Sequence, residues 1–233
     1  MLLVLAASTL GGATVPANAG AISIDRWGLE TLVFDSVERL ADGSYDVEMP
    51  FQTQHHVVNG VSEAVSFFDF SMSPDTASFL IQASHTAFDG NGGTRSFSGG
   101  NIHVTPSVDL LLTATGTYAY DMPGWDMDVH YALVVSDSAF QERFVQSFGD
   151  STFKGPTSGI FSLSGTDILP AGETSIIRYI MYIDGFGSSG LLASGSGEIH
   201  FSLAAVPECS TLALLAFGMA CLRKPRRRLR LEA

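Results

Sequence analysis
The chain has 233 residues, with 12 Lys+Arg against 24 Asp+Glu and a formal net charge of −12. That length fits one domain, and 45% hydrophobic residues supply a packed core, which excludes global disorder. The acidic balance excludes general nucleic-acid binding, and two cysteines exclude a disulfide-dense scaffold.

The N-terminus opens on the apolar run MLLVLAASTL, followed by Gly11-Gly12, Pro16 and Ala17-Asn18-Ala19. Small residues three and one positions before a cut after Ala19 fit a signal-peptidase pocket, so 1–19 is predicted as a signal peptide. The run is shorter than the roughly 20 apolar residues of a membrane span. It departs from the usual pattern in one respect, because no Lys or Arg precedes Arg26.

Residues 20–206 form the predicted exported domain. Period-2 alternation places Leu110, Leu112, Ala114, Tyr118 and Tyr120 on one face of a strand. Met127, Val129, Tyr131, Leu133 and Val135 share a face in the same way, as do Ile177, Tyr179, Met181 and Ile183. Ile199, Phe201 and Leu203 alternate with Glu198, His200 and Ser202. Further predicted strands are AISIDRW, SYDVEMPFQ, AVSFFDFSM, SFLIQASHTAF and GIFSLSG. Turn signals stand between them at Ala41-Asp42-Gly43, Asn59-Gly60, 89–93, Pro123-Gly124, Gly155-Pro156 and 187–190. Many strands at short spacing predict an all-β protein, an antiparallel β-sandwich of jelly-roll-like or immunoglobulin-like form. One short helix is predicted in AFQERFVQSF, capped by Ser138, with Phe140, Phe144 and Phe148 as its apolar stripe.

The candidate ligand site is the turn carrying Asp121, Trp125, Asp126 and Asp128. Carboxylates beside an aromatic ring suit Ca²⁺ and a stacked sugar, while Asp126 and Asp128 also read as the solvated side of a strand. The loop 89–94 offers Asp89 and Asn91 among glycines but lacks the later acidic ligand of a calcium-binding loop. The six histidines, His55, His56, His85, His103, His130 and His200, follow no zinc-ligand spacing. No nucleophile elbow and no phosphate-binding loop is present, so the sequence predicts no enzyme and no cofactor. A carboxylate pair for glycoside hydrolysis is a matter of three-dimensional separation and stays open.

The C-terminus carries the sharpest pattern. Val206, Pro207, Glu208 and Cys209 precede an apolar stretch, Leu212 to Leu222, and then Arg223, Lys224, Arg226, Arg227, Arg228 and Arg230. Basic residues behind a short apolar helix remain cytoplasmic, so the chain before Pro207 faces outward. Cys209 and Cys221 both fall here, about 18 Å apart on a helix and too distant for an internal bridge.

Motif, apolar helix and basic tail together resemble the PEP-CTERM sorting signal of Gram-negative bacteria. The resemblance covers 207–233, with Cys209 standing where that signal has its second proline. It implies a single transmembrane helix and recognition by an exosortase, a membrane cysteine protease. It also implies transient residence in the inner membrane and a link to exopolysaccharide or biofilm. The expected partners are signal peptidase, exosortase and exopolysaccharide. The expected location is the cell surface, envelope or extracellular matrix. Residues 207–233 hold six basic and two acidic residues, a charge of +4, which leaves −16 on 1–206.

Overall fold
A computed structural model of the chain describes residues 20–35, 38–45, 51–88, 93–124, 126–152, 155–186 and 190–206. All its regular structure is β. Sheet A runs β2(Arg39–Tyr45), β1(Ile22–Asp35), β6(Thr94–Pro106), β11(Ser175–Gly185), β8(Met127–Asp137), β9(Glu142–Ser151). Sheet B runs β10(Thr157–Leu169), β7(Leu110–Met122), β12(Leu192–Ala205), β5(Thr76–Phe88), β4(Ser62–Met72), β3(Phe51–Asn59). Every pairing is antiparallel, and the two sheets pack face to face as a sandwich.

Within this order the last eight strands pair first with last: β5 with β12, β6 with β11, β7 with β10, and β8 with β9. That nested pairing is the ladder order of a jelly roll. The first four strands extend it: β1 and β2 lengthen sheet A beside β6, and β4 and β3 lengthen sheet B beside β5.

The alternation read from the sequence supplies the core. Leu110, Leu112, Tyr118, Tyr131, Leu133, Tyr179 and Phe201 are all fully buried between the sheets. Each faces inward because neighbours one residue away point to opposite sides of a strand. A file of rings crosses between the sheets. It runs Tyr120–Phe161 (4.7 Å), Phe161–Phe148 (5.8 Å), Phe148–Tyr131 (6.3 Å), Tyr131–Tyr118 (5.7 Å) and Tyr118–His85 (5.9 Å). Glycines make room for it: a Cβ on Gly116 would stand 2.1 Å from the Tyr131 hydroxyl, and one on Gly195 2.3 Å from that of Tyr118.

Three expectations are corrected. The segment predicted as a helix is a turn followed by β9, and there is no helix among the described residues. Phe144 and Phe148 are four apart, which satisfies a helical and a strand period alike. In β9 they face the core, while Phe140 stays exposed in the turn. Ser138 caps nothing; the Asp137 carboxylate instead accepts from the backbone N–H groups of Ala139 (2.8 Å) and Gln141 (2.9 Å). Secondly, Ala41-Asp42-Gly43 lies inside β2, paired with Leu32, Thr31 and Glu30. Thirdly, β6, which the alternation did not mark out, crosses the middle of sheet A through Gly99 and Gly100.

The strands all run between two poles. Ala21, at the start of β1, donates to the Pro74 carbonyl, and Val206, just past β12, donates to that of Asp109. Both chain ends therefore leave the sandwich at one pole, beside the turns at 73–75, 107–109 and 170–174. The turn at 123–126 stands at the other pole, about 40 Å away along 13-residue strands. No helix among the described residues is long and apolar enough to cross a membrane. The predicted signal peptide, 1–19, and sorting segment, 207–233, lie outside the described residues.

Candidate functional site
The predicted aspartate site does not assemble as a unit. Asp121 ends β7 on the outer face of sheet B, exposed and opposite Ser158 and Ser194. Asp128 opens β8 on the outer face of sheet A, opposite Asp184 and Ser151. Asp126 sits between them at a positive φ of 56°, a conformation that Asp tolerates, and its carbonyl accepts from Phe186 N–H. Trp125 lies outside the described residues. No group of three metal-ligating side chains occurs among the described residues. The Ca²⁺ expectation is thus left with Asp126 and Asp128, without Asp121. Of the sorting motif only Val206 is described, at the exit from β12; Pro207, Glu208, Cys209 and the basic residues Arg223 to Arg230 lie outside.

Asp128 instead joins a charged cluster on sheet A. The Arg95 guanidinium forks onto both oxygens of Asp184, at 2.7 and 2.6 Å. It also lies 4.6 Å from the centre of the Tyr182 ring, and His130 stacks on the far side of that ring. Burial raises the carboxyl pKa of Asp184, and Arg95 opposes the rise. Burial likewise raises that of Asp128, with Arg95 again opposing. A carboxylate acid–base pair needs one protonated and one ionised partner, both free to reach a substrate. Here both oxygens of Asp184 are occupied by Arg95, so Asp184 serves as a fixed counter-ion. The hydrogen bonds of Arg95 to Asp184 in turn hold the guanidinium charged.

A second buried polar group lies between the sheets. His55 Nε2 pairs with Ser44 Oγ at 2.8 Å, and Ser66 Oγ links Thr31 (2.9 Å) to Ser98 (2.6 Å). His85 is buried, with its Nδ1 2.8 Å from the Tyr118 hydroxyl and its Nε2 unpaired. Burial pushes the His85 pKa down to about 3, so its ring is neutral. Thr31, His55, Ser66, His85 and Ser98 are buried, while Ser44 is half-buried.

No local pattern in the chain marks the third arrangement, a shallow groove on the outer face of sheet A. It encloses about 250 Å³ and is floored by Gly28, Gly99 and Gly100. Its walls are Tyr45, Phe97, Asn101 and Arg178, with Glu30 at one end. Register explains the assembly: Tyr45 faces Gly28, Gly28 faces Asn101, and Asn101 faces Arg178, one row across four strands. The Tyr45 ring stands against two glycines. A Cβ on Gly28 would come within 2.9 Å of one edge, and one on Gly43 within 3.0 Å of the other. The residue is 61% exposed. Glu30 is paired with Arg39.

No protein-family model matches the chain, and no curated protein matches it. Among solved structures it is similar to that of the infectious bursal disease virus Gt strain, with 12% identity and a TM-score of 0.32. That match covers 83% of this chain and 60% of the other. A second similar structure is the VP2 subviral particle of the same virus, with 11% identity, a TM-score of 0.33, and coverage of 84% and 54%. The chain thus spans little more than half the length of these two structures.

Proposed function
We propose that this is an exported protein sorted by an exosortase through its C-terminal segment, with a structural or adhesive role at the cell surface or in the extracellular matrix. The observation that carries this reading is how the sandwich and the sequence signals meet. The first strand, β1, begins at Ile22, three residues after the predicted cut at Ala19, and the last, β12, ends at Ala205, directly before the Val206-Pro207-Glu208-Cys209 motif. Both ends leave from the same pole, so a tether beginning at Pro207 holds the opposite pole outward.

The role is non-enzymatic on this reading; in its favour, Arg95 occupies both oxygens of Asp184, the carboxylate opposite Asp128. Mass spectrometry of the surface and medium fractions tests the sorting. The expected result is mature protein starting near Gly20 and lacking the segment after about Pro207. An intact arginine-rich tail on the mature protein would overturn it.

A second reading, a carbohydrate-binding module for exopolysaccharide, is favoured by one observation. An exposed aromatic ring, that of Tyr45, lines one groove with polar side chains on sheet A. The aspartate turn first considered for that role is divided between two sheets.

A further inference from the structure
We propose that the groove between Tyr45 and Arg178 on the outer face of sheet A binds an acidic polysaccharide, one whose pyranose rings carry carboxylates. The inference deepens the carbohydrate-binding reading and is independent of the C-terminal sorting.

Three observations carry it. First, the Tyr45 ring stands with one edge against Gly28 and the other against Gly43, and the residue is 61% exposed. An exposed aromatic ring offers a π face, whose negative charge attracts the polarised C–H groups of a sugar ring. Phe97 lies over Gly99 and forms a second, half-buried wall.

Second, the polar groups along the row suit a sugar. Arg178 presents a planar fork of donors, which matches a carboxylate in bidentate fashion. Asn101 beside it offers both a donor and an acceptor to hydroxyls. Tyr45 and Arg178 are three strand spacings apart, roughly 14 Å, which spans more than one sugar residue. The groove is smaller than the roughly 300–1,000 Å³ of pockets that enclose drug-sized ligands, and it is open along its length.

Third, the charge of the domain is divided by sheet. The strands of sheet B contain no Lys or Arg, and their outer face carries Glu63, Asp69, Asp121 and Glu198. Four of the six basic residues before Pro207, namely Arg26, Arg39, Arg95 and Arg178, stand on the outer face of sheet A. Arg95 is matched by Asp184 and Arg39 by Glu30. Arg178 makes no ion pair among the described residues, and Arg26 flanks the groove one row away. On an otherwise acidic chain the groove is therefore a local site of positive charge, which attracts a polyanion.

The test uses the full-length chain, solubilised in a detergent without a sugar headgroup. Calorimetric titration employs two probes, hexagalacturonate as the acidic chain and cellohexaose as the neutral one. The expected result is binding of hexagalacturonate about ten-fold tighter than cellohexaose, weakening at higher salt. Tyr45→Ala lowers that affinity about ten-fold, Tyr45→Phe retains it, and Arg178→Gln removes the preference for the acidic chain. Both positions are at the surface, and an unchanged melting temperature establishes that each of the three variants is folded. Failure of both probes to bind the wild type overturns the carbohydrate-binding reading as a whole. Wild-type affinity in Tyr45→Ala and Arg178→Gln overturns the site alone, and equal affinity for the two probes overturns the assignment to acidic sugars.

Discussion
At the scale of single residues, His85 illustrates what a buried titratable group does to a sandwich core. It bonds Tyr118 through one ring nitrogen, and the other is unpaired, so protonation inside the core is disfavoured. In the unfolded chain His85 takes up a proton near its ordinary value of 6.5, whereas in the fold it does so only near 3. The unfolded state thus binds more protons below 6.5, and stability is lost as pH falls from there toward 3. The loss from this one site between pH 7 and pH 5 is about 2 kcal/mol. His85→Gln keeps a hydrogen-bonding side chain without titrating in this range. Urea unfolding at the two pH values should give the variant a smaller drop than the wild type; equal drops would refute the assignment. A second residue-scale expectation concerns Gly116. A Cβ there would stand 2.4 Å from the Glu198 carbonyl as well as against Tyr131. Backbone cannot retreat as a flexible side chain can, so Gly116→Ala should cost about 3 kcal/mol in thermal or urea unfolding.

At the scale of elements, the hairpin joining β8 and β9 holds the informative disagreement. Its turn is closed by a bond from Phe140 N–H to the Asp137 carbonyl and by the Asp137 side chain. Phe140 occupies a positive φ of 61°, which a bulky side chain adopts only under strain, and its ring is 64% exposed. Phe140→Gly removes the strain and forfeits little burial, so it should stabilise the protein by about 1 kcal/mol. A raised urea midpoint with an unchanged slope is the expected reading. The helix expected here failed because aromatic residues at intervals of four do not distinguish periods of 3.6 and 2. Length was the better signal, since ten residues that must meet a neighbouring strand can be paired along their whole backbone. The strand β6 was obscured for the opposite reason. Gly99-Gly100-Asn101 resembles a turn in isolation, yet in the sheet Gly99 lies under Phe97 and Gly100 makes room for Tyr179.

At the scale of the whole molecule, the strand order places both ends of the described fold, Ala21 and Val206, at one pole and separates the charges of the described strands by sheet. Neither result belongs to any one element. The ladder partners β5 and β12 are over a hundred residues apart, as the Ser78–His200 contact records with a separation of 122. The groove on sheet A depends on the same closure. Tyr45, Gly28, Asn101 and Arg178 come from four strands, and only the register of β2, β1, β6 and β11 makes them a row. The candidate aspartate turn was contiguous in sequence and was divided by topology, because β7 and β8 belong to opposite sheets.

The sequence by itself determined the all-β class, the inward faces of β7, β8, β11 and β12, and the turns at Asn59-Gly60, Pro123-Gly124 and Gly155-Pro156. It did so because strand alternation and turn chemistry act over a few residues and need no partner to be visible. It also contains the whole of the C-terminal pattern, which is a matter of order along the chain. Tertiary structure alone decided the jelly-roll ladder, the place of β6, the strand at 142–151, the parting of Asp121 from Asp128, and the row from Tyr45 to Arg178. Each of these depends on which strand lies beside which. That choice is made by burial and backbone pairing between residues distant in the chain, where local preference carries no information.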